Sequence, residues 1–165
     1  MEDLREQKQD QWMTTDGEAT TWEISLEKDN LFNETSTRSL HIVNNNPKVE
    51  SHNDNAVIMD DDRNIFDVYL KTAQQDLTIL LAKRMADIDG ITDTEDNVTY
   101  TLTMGINHDS NTKDALKNSC KEFLVKKVLE QWFMADFGSE VEKQRLTHIL
   151  QYRRKSVARR VRPLL

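Results

Sequence analysis

The chain has 165 residues, 22 Lys/Arg against 29 Asp/Glu and 37% hydrophobic content, which fits one small domain with polar appendages rather than several packed domains. Four Gly and two Pro disfavour a loop-rich β-sandwich or barrel. The single Cys120 rules out an intramolecular disulfide or a cysteine zinc site, no apolar run approaches the roughly 20 residues of a membrane span, and the acidic start MEDLREQKQD lacks the apolar stretch of a secretory signal, so the expectation is a soluble protein made in a cytoplasm.

Residues 1–19 hold six acidic and two basic side chains, with Leu4, Trp12 and Met13 as their sizeable apolar groups. So little apolar surface cannot offset the entropy of ordering the chain, and the segment reads as a flexible acidic N-terminal arm. Thr20–Leu26 then alternates, placing Trp22, Ile24 and Leu26 on one face of a strand. Ser39–Val43 reads as a second short strand, with a turn or short helical segment between them over 30–35. Asn44-Asn45-Asn46-Pro47 ends that strand, because Asn tolerates left-handed backbone and Pro removes a ladder donor; residues 44–55 read as an exposed loop.

Asp60-Asp61-Asp62 precedes the clearest helical pattern, from about Asn64 to Ile88. Ile65, Val68, Tyr69, Thr72, Ala73, Leu77, Leu80 and Leu81 recur three and four apart as an apolar stripe. Acids at its start and Lys83-Arg84 near its end suit the helix dipole, and Gly90 supplies a stop. Val98–Met104 alternates strictly, apolar against threonine, as a half-buried strand does. Asp109 or Asn111 caps a second long helix over about 112–136, with Leu116, Cys120, Phe123, Leu124, Val128 and Trp132 on one side. Gly138-Ser139 interrupts it, and Ser139 with Glu142 has the spacing of a capping box. The third helix runs to about Arg154, its face carrying Val141, Arg145, His148, Ile149 and Tyr152. A few strands need a helical cover, so the expected fold is α+β: a helical core of about three helices and a small antiparallel sheet over residues 20–154, with Leu77, Leu80, Leu124 and Trp132 facing inward.

The motifs of enzyme chemistry do not accumulate. Four scattered glycines make no phosphate loop, and no G-x-S-x-G, H-E-x-x-H or C-x-x-C occurs. Asp87-Ile88-Asp89-Gly90 with Asp93 and Glu95 resembles a calcium loop, but setting Gly90 at its sixth position puts Met85 at the first, where a carboxylate is required. A solvated turn is the better reading, and Asp60–Asp62 reads as helix-capping acids. His41, His52, His108 and His148 lie in separate segments, and Cys120 falls on the apolar stripe of its helix. No catalytic, cofactor or metal residue is assigned.

The C-terminus carries the strongest signal. Lys143–Leu165 has eight Lys/Arg and no acid, whereas residues 1–142 have fourteen Lys/Arg and all 29 acids: a body near −15 and a tail near +8. Charge divided this cleanly speaks of partners, because it steers association. Three readings apply to the tail. A solvated terminus needs no apolar residues, yet Val157, Val161, Leu164 and Leu165 are present. Nucleic-acid binding by counterion release needs clustered Lys/Arg, but the acidic body opposes a polyanion. Docking on an acidic, partly apolar protein surface uses every feature, with Arg for carboxylates and Val or Leu for pockets. The docking residues are therefore Arg153, Arg154, Lys155, Arg159, Arg160, Arg162, Leu164 and Leu165, with 155–165 as a basic arm.

Glu122–Phe133, ending in Trp132-Phe133, then Val141-Glu142 to Leu150, then Tyr152-Arg153-Arg154-Lys155, resembles small virion proteins of tailed phages of Bacteroidales, including crAss-like phages. Trp22–Arg38, with Leu26-Glu27-Lys28-Asp29 and Thr35-Ser36-Thr37, is similar to the opening segment of that group; the Asn-rich loop at 44–55 departs from it. The resemblance implies a non-enzymatic subunit of the virion neck, a head–tail connector in a homo-oligomeric ring, often of twelve. It would join the portal or an adjacent neck protein to tail proteins and leave a passage for genome DNA without sequence-specific binding. A tail or tail-completion protein is the alternative within that class, and a small nucleic-acid-binding regulator the alternative outside it.

Overall fold

A computed structural model describes residues 20–45, 56–85, 90–104, 110–134 and 137–160, with only the backbone path for 151–160. The acidic N-terminal arm, most of the Asn-rich loop, the acids of 86–89 and residues 161–165 lie outside the described residues. In chain order the elements are β1 (Thr20–Glu27), α1 (Lys28–Asn45), a 3-10 turn (Asp60–Asp62), α2 (Arg63–Leu81), a second 3-10 turn (Ala82–Arg84), β2 (Ile91–Asp93), β3 (Asn97–Met104), α3 (Ser110–Phe133) and α4 (Ser139–Arg160). Among the described residues the fold is α+β, four helices over a three-stranded antiparallel sheet in the order β1-β3-β2.

The sheet follows the alternation of the sequence. Trp22, Ile24 and Leu26 of β1 and Val98, Tyr100, Leu102 and Met104 of β3 are all buried. Trp22 lies opposite Leu102, Ile24 opposite Tyr100 and Leu26 opposite Val98, so one face supplies the core and the Ser/Thr/Glu face turns outward. The three-residue β2, opposite 98–100, was not foreseen. It is cut from the acidic stretch that reads as a turn, and is too short to carry an alternation of its own.

The expected strand Ser39–Val43 is instead the last third of α1. Leu31, Phe32, Thr35, Ser39 and Val43 form its buried stripe, a helical spacing that short polar residues hide from a purely apolar count. Burial of those hydroxyls is satisfied locally and is put to use. Thr35 Oγ1 donates to the Leu31 carbonyl at 2.6 Å and Ser39 Oγ to the Ser36 carbonyl at 2.7 Å. Ser39 Oγ also accepts the Ile58 N–H at 2.9 Å, and Ser36 Oγ donates to the Ile58 carbonyl at 2.7 Å. Both backbone groups of the fully buried Ile58 are thus held by α1, which explains how an irregular segment is drawn into the core.

Two helix faces are rotated from those expected. On α2 the buried residues are Phe66, Leu70, Ala73, Gln74, Leu77 and Leu81, while Ile65 and Val68 are exposed by 45% and 64%. On the described part of α4 they are Ser139, Glu142, Leu146 and Leu150, and Val141 is exposed. Leu77 and Leu124 are fully buried as expected, whereas Leu80 and Trp132 are partly buried against the core. The Trp132 indole stands edge-on to Tyr69, centroids 6.5 Å apart, and donates to the Ala56 carbonyl at 2.7 Å. α3 is the central helix, packed against α1, α2, α4 and β1; buried on several sides, it has no single apolar stripe.

Candidate docking surfaces

α4 positions the basic residues, and its start differs from a capping box. Gly138 takes φ +85, a left-handed turn that favours glycine, and its carbonyl accepts the Glu142 N–H. The Ser139 hydroxyl donates to the Glu130 carboxylate of α3 rather than capping its own helix. Glu142 turns into the protein, 1% exposed, with Oε1 receiving Lys126 at 3.0 Å and Arg145 at 3.1 Å. A buried carboxylate persists when it is paired, and here one pairing partner comes from α3.

That pairing belongs to a longer array joining three helices. Arg38 of α1 forms a bidentate pair with Glu122 of α3, one arm at 2.7 Å, and also bonds Glu34 at 2.6 Å. Lys121 reaches Glu34 at 2.6 Å, and Lys126 lies between Glu122, 3.8 Å away, and Glu142. The Lys121 and Arg38 cations hold the Glu34 carboxyl below its ordinary range; Arg38, then Lys126, does the same for Glu122. The array fastens α1, α3 and α4 into one frame.

Beyond Leu150 only the backbone of α4 is described. Leu146 and Leu150 are its last described core residues, and the Leu150 carbonyl accepts Arg84 Nη2 at 2.6 Å. The backbone stays helical for ten more residues, to Arg160, roughly 15 Å of helix. Sequence reasoning stopped this helix at about Arg154; instead Arg153, Arg154, Lys155, Arg159 and Arg160 all lie on one continuous helical segment. Arg162, Leu164 and Leu165 lie outside the described residues.

A contrasting acidic end forms where β1 runs into α1. Glu27 sits opposite Asn97, and the Lys28 N–H donates to the Asp96 carbonyl at 2.9 Å, which gathers Glu27, Asp29, Asp93, Glu95 and Asp96. The cations among them are engaged: Lys28 pairs Asp93 at 2.5 Å, and Arg63, lying over the Phe32 ring at 4.8 Å, pairs Asp29 at 2.6 Å. Sequence reasoning missed this surface because its acids come from segments some 70 residues apart. Among the described residues no group of three or more His, Cys, Asp and Glu side chains is gathered as a metal site requires, and no helix is long and apolar enough to cross a membrane. Cys120 is fully buried, and burial pushes its thiol up to about 12.

The sheet offers a third feature. Thr101 N–H donates to the Gly90 carbonyl at 2.7 Å, so odd-numbered residues of β3 turn their backbone groups toward β2 and even-numbered ones toward β1. On β1, Trp22, Ile24 and Leu26 therefore bond inward, and Thr21, Glu23, Ser25 and Glu27 turn theirs to the outer edge. No described strand pairs there, and the two glutamates make that edge unwelcoming to an acidic or self-similar strand.

No protein-family model, no curated protein and no solved structure matches this chain. The resemblance to phage virion proteins therefore rests on the residues quoted for it. What the described residues provide is electrostatic: an acidic sheet end, and a helix whose backbone continues past Leu150, its last described core residue, through a sequence rich in Lys and Arg.

Proposed function

We propose that the protein is a structural, non-enzymatic subunit of a phage virion neck, a connector that closes into a ring between portal and tail. The observation that carries the proposal is the basic helical extension of α4, set against a body that holds all 29 acids. In this reading the arm, Arg153 to Leu165, docks on an acidic, partly apolar surface of the portal or an adjacent neck protein. The acidic body faces the genome passage, where like charge keeps DNA from adhering. The resemblance of the second half to phage virion proteins supports the same assignment, and with it a place in the virion neck.

The experiment compares the full chain with one lacking residues 156–165 in two assays. The truncated protein is expected to keep its thermal unfolding yet fail to join particles. The intact protein is expected to bind DNA weakly. Tight DNA binding that falls steeply with salt and vanishes on truncation, with normal incorporation of the truncated protein, would replace this reading with a nucleic-acid-binding one.

A further inference from the structure

The rotation of α2 leaves a ridge on its outer side. Ile79 is 73% exposed and continues the line of Ile65 and Val68, while Thr72, Gln75 and Ala82 between and beyond them are exposed as well. Ile65, Val68, Thr72, Gln75, Ile79 and Ala82 are spaced three and four apart in strict alternation, which is the a/d seam of two and a half heptads. The apolar members span roughly 21 Å of helix. This seam is separate from the buried stripe of Phe66, Leu70, Leu77 and Leu81 on the same helix.

Three observations select the occupant. The seam is self-complementary when a second copy runs antiparallel: Val68 then faces Ile79 of the second copy, Thr72 faces Gln75, and Ile65 faces Ala82, so every layer is matched by the two-fold axis. The ends are complementary too. Asp60, Asp61 and Asp62 stand at the start of α2 and Lys83 at its end, so antiparallel pairing brings each aspartate group beside the lysine of the other copy, with the helix dipoles opposed. A parallel pair would instead stack aspartates on aspartates. Finally, a seam this short, with Ile65, Val68 and Ile79 as its large apolar members, fits a weak pair at the low end of specific interfaces.

We infer that α2 is a homodimer interface, pairing antiparallel with α2 of a second copy through Ile65, Val68 and Ile79. The contact goes beyond the connector reading and does not rest on it, since it concerns the free subunit and uses none of the arm. It is an isologous contact, which closes on two copies, unlike the heterologous contacts that propagate a ring.

The test uses the full-length chain with Val68→Cys and Ile79→Cys made separately. Wild type should pass from monomer to dimer over the micromolar range by sedimentation equilibrium. Under mild oxidation each single variant should stay largely uncrosslinked, because the two copies of one position lie about 16 Å apart along the paired helices. A mixture of the two variants should form disulfide-linked dimers, as the antiparallel register requires; buried Cys120 does not compete. Ile79→Glu should abolish the dimer without changing thermal unfolding at concentrations where the wild type is monomeric, and Asp61→Lys with Lys83→Glu together should restore association that Lys83→Glu alone weakens several-fold. A wild type that stays monomeric throughout, a dimer indifferent to Ile79→Glu, or crosslinking as efficient in the single variants as in the mixture would each overturn the inference. None of these outcomes bears on whether the arm enters particles, so the two readings fail separately.

Discussion

Replacing Arg38 by Met keeps an unbranched apolar stem and removes the guanidinium. Three charge-assisted hydrogen bonds are lost, two to Glu122 and one to Glu34. The carboxylates are not wholly stranded, because Glu34 keeps Lys121 at 2.6 Å and Glu122 keeps Lys126 at 3.8 Å. Arg38 is 30% exposed and Glu122 27%, between the exposed pairs worth about 0–1 kcal/mol and the buried ones whose rupture costs about 3–5 kcal/mol. A loss of about 2 kcal/mol at pH 7 follows, measured by urea denaturation with an unchanged m-value. The pH dependence fixes the cause. Folded-state pKa values of Glu34 and Glu122 are depressed, so their stabilisation is fully present above the unfolded carboxylate value of about 4.3. It is lost as pH falls through the lower folded values. The gap between wild type and Arg38→Met should therefore narrow below about pH 4. A gap under about 0.5 kcal/mol at pH 7, or one that stays constant down to pH 2.5, would refute the claim that this array fastens α1 to α3.

Tyr100 is fully buried and its hydroxyl has no hydrogen-bond partner among the described residues; Tyr100→Phe should be neutral or stabilise by about 1 kcal/mol in chemical denaturation, since an unpaired buried hydroxyl is costly. Leu77→Ala or Leu124→Ala should cost about 2–5 kcal/mol, whereas Val68→Ser should change thermal unfolding of the monomer by less than about 0.5 kcal/mol. Removing 156–165 should leave the unfolding midpoint nearly unchanged, because Leu146 and Leu150 are the last described core residues of α4. Charge reversal at Arg159 and Arg160 should weaken attachment to particles more at low salt than at high, as screening of exposed charge requires.

The parts of the fold visible in the sequence are those where one period dominates. Val98–Met104 and Trp22–Leu26 alternate and are strands; Gly138 breaks the chain where it adopts a positive φ. α1 was misread because its buried stripe runs through Thr35 and Ser39, and the hydrogen bonds that Ser36 and Ser39 make to Ile58 are announced by no local pattern. α2 carries two apolar lines, one buried and one exposed, and periodicity alone does not say which faces inward. Ser139 and Glu142 had capping-box spacing, yet Glu130 and Lys126 of α3 draw both away. Of the candidate docking residues, Arg153, Arg154, Lys155, Arg159 and Arg160 stand on a helical backbone that sequence reasoning ended at about Arg154. The acidic end is a product of topology, since only the register of β1 on β3 brings Glu27 and Asp29 toward Asp93 and Asp96.

Lys155 provides the most direct test of the central claim, because it is the lysine within the arginine-rich run that ends α4. Amine-reactive crosslinking of purified virions, read by mass spectrometry, should find this protein in the particle and join Lys155 to a portal or neck protein. Absence of the protein from particles, or an arm crosslinked only to nucleic acid when a DNA-reactive linker is used, would contradict the account.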